Sequence, residues 1–254
     1  LKDWDIKIYR GILTGFNEAF IIDGKKKDEL IAEDPKSAEI IRPILRGRDI
    51  KRYSYDFADL YLIATFPSLK IDIEKYPAVK KHLLSFGMER LEQTGKEYKK
   101  NGKTIKARKK TTNKRFETQD SISYWEDFYK QKIVYSEIVR EPQFYLDKDG
   151  EFFPEATAFI MTGEHIEFLY PILHSQAITY FFKKYYAGGG LGEEGYRYKK
   201  AFLEKLPIPK PTPDVEAKIE ELIRLEKYDT IDLLVYDLYS LSAQEIAEIE
   251  KTVR

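Results

Sequence analysis

"RGILTGFNEAFIID", residues 10–23, reads as two short apolar runs joined by a Thr14-Gly15-Phe16-Asn17 corner. The pattern predicts two strands that fold back sharply on one another. Gly15 and Asn17 are residue types that enter positive φ at little cost, as such a corner requires. Phe20, Ile21 and Ile22 supply apolar side chains for a core. Upstream, "WDIKIYRGI" alternates apolar and polar residues for part of its length, as a half-buried strand does.

Working outward, "DPKSAEIIRPIL" opens with a capping Asp34 and with Pro35 at the first helical position, which predicts a short helix ahead of "LRGRDIKRY". "LYLIATF" is a short run of buried-strand type. "YPAVKKHLLSFGMERLEQTG" carries helical spacing and stops near Gly95. Farther on, "QKIVYSEIV", "QFYLD" and "ATAFIMTG" read as three strands bounded by turns. "IEFLYPILHSQAITYFFKKYY" is the most apolar segment, but Glu167, Pro171, His174, Gln176 and two lysines make it a buried helix rather than a membrane span. "AGGGLGEEG" reads as a mobile loop. "LPIPKPTP", with four prolines, can continue neither a helix nor a central strand and places a boundary between residues 1–210 and 211–254. The second part reads as three helices, the last with Ser242 as N-cap and Glu245 in the capping-box position.

The chain has 254 residues, 43% hydrophobic and 34% charged, which suits a folded globular protein and excludes disorder throughout. It has no cysteine, so disulfides, thiolate metal sites and thiol redox chemistry are excluded, as suits a cytoplasmic protein. The first residues lack both an initiator Met and a signal-peptide pattern, which predicts an excised fragment. Its balance of 43 basic and 43 acidic residues hides an asymmetry: residues 211–254 hold 11 Asp/Glu against 5 Lys/Arg, leaving the first 210 residues at +6. Within "GKEYKKNGKTIKARKKTTNKR", residues 95–115, eight lysines and two arginines face one glutamate.

No motif for catalysis emerges. His82, His165 and His174 are scattered, with no pairing of zinc-site type. Asp214, Glu216 and Lys218 superficially match a metal-nuclease signature, but at a helix start they point to different sides, and Asp214 is better read as an N-cap. No Gly-x-Gly-x-x-Gly cofactor loop and no Asn-Pro-Pro-Tyr aminomethylation motif occurs. What remains is basic and aromatic. "RPILRGRDIKRY" supplies Arg42, Arg46, Arg48, Lys51 and Arg52, with Tyr53 and Tyr55 behind them. Arg suits bidentate contact with phosphate or a guanine edge; the alternative is that Arg46 simply pairs with Asp49. With Lys106, Arg108, Lys109, Lys110, Lys114 and Arg115 of the following basic loop, these arginines and Lys51 form the candidate DNA-facing surface, the lysines of 96–115 for phosphates, and Asn113, Gln119 and the arginines for base edges.

"RGILTGFNEAFII", "LRGRDIKRY", "YWEDFYKQKIVYSEI", "ILHSQAITYF" and "LPIP" occur in the order found in the TaqI-like C-terminal specificity domains of adenine-specific DNA methyltransferases and type IIG restriction-modification enzymes, and the chain resembles these domains over nearly its whole length. The resemblance implies an α/β unit of the α+β kind, with a twisted mixed or antiparallel sheet, flanking helices and a C-terminal helical segment packing on it or on a catalytic part. It implies a target recognition domain gripping double-stranded DNA, while a separate methyltransferase domain binds S-adenosylmethionine, flips an adenine out and methylates its N6; in some members a nuclease domain precedes it. Gly11, Thr14, Gly15, Asn17, Phe20, Gly47, Trp125, Pro207 and Pro209 match the motifs as scaffold. Leu173-His174-Ser175 stands where the family often has Leu-Asn-Ser, so no role of that Asn carries over. The implied setting is the prokaryotic cytoplasm. Two rivals are a separate specificity subunit, which the lack of an internal repeat disfavours, and a protein-interaction module whose acidic C-terminal helices dock a partner.

Overall fold

The computed structural model describes residues 1–100, 102–186 and 195–253. After the first strand, β1 (Ile6–Arg10), the corner does not return the chain as a hairpin. Residues Asn17–Phe20 make one helical turn, α1, and β2 (Ile21–Asp23) joins a different sheet. The expected strand pair is therefore absent, and of the two corner residues only Gly15 takes positive φ, at +75°. The corner is held locally by Thr14, whose Oγ1 accepts the Phe16 N–H (3.1 Å) and donates to Asn17 Oδ1 (2.5 Å), while β1 pairs with β11 and β2 with β4.

Asp23 then caps α2 (Gly24–Glu33) by accepting from the Lys26 amide. Asp34 and Pro35 open a short helix as predicted, though of the tighter 3₁₀ kind, at Pro35–Glu39. It leads to β3 (Ile41–Leu45) and, after the arginine loop, β4 (Leu60–Ile63). The helical pattern that follows becomes α3 (Pro77–Leu84) and a single turn α4 (Met88–Leu91), divided at Gly87, where φ is +90°. The basic run holds a hairpin, β5 (Glu97–Lys100) and β6 (Lys103–Lys106). The predicted strands appear as β7 (Lys132–Ser136) with its extension β8 (Ile138–Val139), β9 (Phe144–Asp147) and, past the two-residue β10 (Phe153–Pro154), β11 (Ala158–Gly163).

The long apolar helix is two: α5 (Ile166–His174) and α6 (Gln176–Tyr186). Ser175 is extended between them, and its hydroxyl accepts from the Ile178 amide as an N-cap does. Of the glycine-rich loop expected next, 187–195, residues 187–194 lie outside the described residues. β12 (Tyr196–Arg197) and α7 (Lys200–Leu203) precede the three predicted C-terminal helices: α8 (Pro213–Arg224), α9 (Tyr228–Leu238) and α10 (Ala243–Val253). The capping box is present, Ser242 N–H to Glu245 Oε2 at 2.8 Å and Glu245 N–H to Ser242 Oγ at 3.4 Å. Asp214 is not the N-cap of α8. Thr212 is, with Pro213 at the first position and Asp214 in the first turn.

β7 decides the layering, because all five of its residues are buried. It lies inside the antiparallel sheet β1-β11-β7-β9, and alternate side chains enter opposite cores. Ile133 and Tyr135 belong to one core with Phe168, Ile172 and Phe182 from the helices, whereas Val134 belongs to a second core with Ile44 and Ile63 of the mixed sheet β10-β3-β4-β2. A strand covered on both faces reads as a continuous apolar run. The result is the expected α+β architecture: helices, antiparallel sheet, then mixed sheet with α2 and α3. Ile219, Leu222, Ile231 and Val235 of α8 and α9 share the helical core with α5 and α6. Between β7 and β9, Lys132 and Asp147 form a fully buried ion pair at 2.5 Å. Its spare groups are satisfied by the Phe128 carbonyl and by the Glu151 and Phe152 amides, the condition for tolerating buried charge.

Candidate nucleic-acid interface

Over 95–115 the fold sorts cations by type. All eight lysines are exposed, on the hairpin and the loop after it, while Arg108 is 2% exposed. Each of the five guanidinium N–H groups of Arg108 has a carbonyl: Leu91 takes two (3.0 and 2.8 Å), and Thr14 (3.3 Å), Glu117 (2.8 Å) and Arg115 (2.6 Å) take the rest. Burial, helped by neighbouring Arg90, lowers its pKa to about 10, so it remains a cation at neutral pH. Arg115 is held by Glu92 (2.9 Å) and Met88 Sδ (3.3 Å), and the Asn113 amide donates to the Thr118 and Gln119 carbonyls. Arg108 and Asn113 thus build the base of this surface and are not turned outward to reach a duplex. Lys106, Lys109, Lys110 and Lys114 stay in solvent.

The base is stitched to the corner. Gln119 and Asp120 donate backbone N–H groups to the Thr14 and Leu13 carbonyls (3.0 and 3.2 Å), and the Asp120 carboxylate accepts from the Leu13 amide (3.3 Å). A side chain at Gly15 would collide with Gln119, whose Cβ lies 2.8 Å from the position of such a Cβ. Burial raises the Asp120 pKa against the pull of the Leu13 amide, Arg10 and Lys109, so the lysine loop and the end of β1 lie within electrostatic reach of one carboxyl group.

The arginine segment scatters. Arg42 closes back on the carbonyls of Ala38, Glu39 and Ile41 and on the Tyr129 hydroxyl. Arg46 binds Asp49 through two nitrogens (2.8 and 2.7 Å), the pairing foreseen as the alternative. Burial pushes the Asp49 carboxyl up, but the Arg46 side chain and amide outweigh it and hold it below its usual range. Lys51 donates to the Arg48 carbonyl and sits 3.5 Å from Asp56. Arg52 reaches the His174 carbonyl, and Tyr53, at φ +60°, stacks between His174 (3.9 Å) and Tyr228 (3.7 Å). Burial, with Arg52 nearby, pushes the His174 pKa down to about 3. Its Nε2 donates to the Phe144 carbonyl and Nδ1 has no partner, so this interior histidine is only half satisfied. Of the five arginine and lysine side chains in this segment, that of Arg48 makes no hydrogen bond or ion pair among the described residues. With Arg46, Asn17 and Gly47 it lines a cleft of about 510 Å³ that also receives Arg10, Glu137, Ile138 and Glu155. Sequence spacing carried no signal for Arg10 or Ile138, which come from the ends of separate strands.

Residues 42–208, well over half the chain, match the family of TaqI-like C-terminal specificity domains. The chain belongs to that family. Over 231 residues the specificity domain is 25% identical to the type II methyltransferase M.MjaIV of Methanocaldococcus jannaschii, an alignment covering 86% of this chain and 70% of that one. Its fold is similar to part of the type IIL restriction-modification enzyme MmeI, solved in complex with DNA (TM-score 0.60, 13% identity, 97% of this chain and 35% of that one). It is also similar to part of the type IIG restriction endonuclease BpuSI (TM-score 0.51, 13% identity, 88% and 26%). The specificity domain thus spans about a third and about a quarter of those two enzymes.

The motif residues of the specificity domain hold backbone in place. The Gly11 amide donates to Ala158 O (2.8 Å), Thr14 and Phe20 are fully buried, and the Arg108 guanidinium lies 5.0 Å from the Phe20 ring. Gly47 lies so close to Thr157 that a Cβ would come within 2.6 Å of its carbonyl oxygen. Trp125 packs edge-on against Tyr129 (6.1 Å). Pro207 and Pro209 flank buried Ile208, whose carbonyl takes the Trp4 indole N–H, and the Pro207 carbonyl takes the Tyr239 hydroxyl.

Proposed function

We propose that this specificity domain recognises double-stranded DNA and directs N6-adenine methylation by a methyltransferase domain of the same parent chain, in the cytoplasm of a prokaryote. That catalytic part would supply S-adenosylmethionine as methyl donor; the residues described here would supply grip and sequence choice. The observation that carries the reading is the sorting of cations over 95–115: all eight lysines outward, on a base fixed by a buried arginine. Exposed lysines on a rigid base suit phosphates, which provide affinity without sequence preference. Membership of the specificity-domain family and the likeness to a methyltransferase support the same reading. Among the described residues no helix is long and apolar enough to cross a membrane.

The test is fluorescence anisotropy of labelled random-sequence duplex titrated with the chain at several salt concentrations. Sequence-independent binding in the range of about 10⁻⁴–10⁻⁶ M at physiological salt, falling by about 0.9 log units per phosphate contact for each tenfold rise in salt, is the expected result. A folded sample that binds no duplex at low salt would refute the reading.

A further inference from the structure

Arg48 differs from the other two cations of the cleft. Arg10 donates to the Ala156 carbonyl (3.0 Å) and Arg46 is bound to Asp49, whereas the exposed Arg48 guanidinium donates to no group among the described residues. Its backbone is nonetheless fixed. The Asp49 amide donates to Arg46 O (2.9 Å), Ile50 to Gly47 O (3.3 Å), Gly47 to Thr157 Oγ1 (2.9 Å) and Arg46 to the Asp49 carboxylate (2.8 Å). A free fork on a rigid turn is pre-organised for a directional partner. The surroundings suit bases better than phosphate. Glu137 and Glu155 share the cleft, and their charge opposes a phosphate, while base edges offer both donors and acceptors. Ile138 is 52% exposed, yet the ribbon that carries it is held by Ser136 Oγ on its carbonyl (3.1 Å) and by β12. An apolar wall of this kind meets a thymine methyl group.

From this geometry we propose that the cleft is the base-reading part of the domain and that Arg48 is a specificity-determining residue, taking guanine through O6 and N7 while the lysine loop holds phosphates. The inference rests on the DNA-recognition reading above. To test it, preferred duplexes are selected from a random pool with the full chain, then with Arg48→Lys, which keeps the charge and loses the fork, and with Lys109→Ala/Lys110→Ala. The unsubstituted chain should enrich a site containing guanine. Arg48→Lys should lose that guanine preference at one position and bind the enriched site about ten- to a hundredfold more weakly, with a smaller loss on random-sequence duplex. The double lysine variant should keep the site and weaken all duplexes alike. An unchanged site with Arg48→Lys overturns the proposal, as does an unsubstituted chain that binds duplex with steep salt dependence yet enriches nothing; DNA binding survives either result. A folded chain that binds no duplex at all would remove the DNA reading, and the proposal with it.

Discussion

The lysine hairpin with its following loop and the arginine cleft both adjoin the 13–17 corner, but are anchored in opposite ways. The lysine region hangs on a single cation, Arg108, whose N–H groups gather carbonyls from four residues separated along the chain. The cleft loop has no buried cation. It is held by Arg46–Asp49 locally and, at its far end, by Tyr53 wedged between His174 and Tyr228 on the helical layer. The difference teaches that one charged segment can be set out for affinity and another for direction. Lysine heads on flexible stems tolerate any arrangement of phosphates, whereas an arginine fork demands a fixed backbone.

The sharpest way to break the comparison is Arg108→Leu. Five hydrogen bonds vanish and the buried carbonyls they served are stranded, so unfolding in denaturant should show a loss of about 3–5 kcal/mol. DNA affinity should fall with it. Acid probes the other anchor. The fold holds His174 neutral while the unfolded chain protonates it below its ordinary value of 6.5, so stability is full above that pH and is lost as pH falls towards 3. Between pH 6.5 and pH 5 the loss should be about 1.6 kcal/mol by denaturant titration. His174→Asn, which places there the residue that the family often carries, should flatten that slope. If the slope persists, the anchor is elsewhere.

Gly47→Ala acts on the cleft alone. The new methyl must push the loop off Thr157, at a cost of about 1–2 kcal/mol, and should blur sequence preference while the salt dependence of binding stays constant. The smallest stability effect belongs to Lys109→Ala/Lys110→Ala, within about 0.5 kcal/mol. These exposed side chains support nothing in the fold, yet their removal should flatten the salt slope by about two. An unchanged slope would make this loop a solvated surface.

Much of the architecture was legible because its causes are local. Asp34-Pro35, Ser242 with Glu245, and the apolar runs of β7, β9 and β11 declare themselves through caps and periodicity. The corner misled because two short apolar runs around Thr-Gly-Phe-Asn fit a hairpin as well as a helical turn, and only the partners chosen by β1 and β2, in separate sheets, separate the two. The site was legible as a composition and illegible as an arrangement. Lys109 and Arg108 are adjacent in sequence and alike in charge, but one meets water and the other closes the base of the loop.

The sequence by itself determined the α+β character, the family, the basic and acidic halves, and the lysines as an exposed class. Burying a lysine is costly without a dedicated buried partner, which Lys132 has in Asp147; the ion pair of Lys100 with Glu89 in the 95–115 run lies in solvent. Tertiary structure alone decided which arginines are scaffold and which is free. A guanidinium can satisfy carbonyls, a carboxylate or a nucleic acid with the same five N–H groups, and the choice depends on which backbone atoms the packed sheets and loops bring within about 3 Å of it.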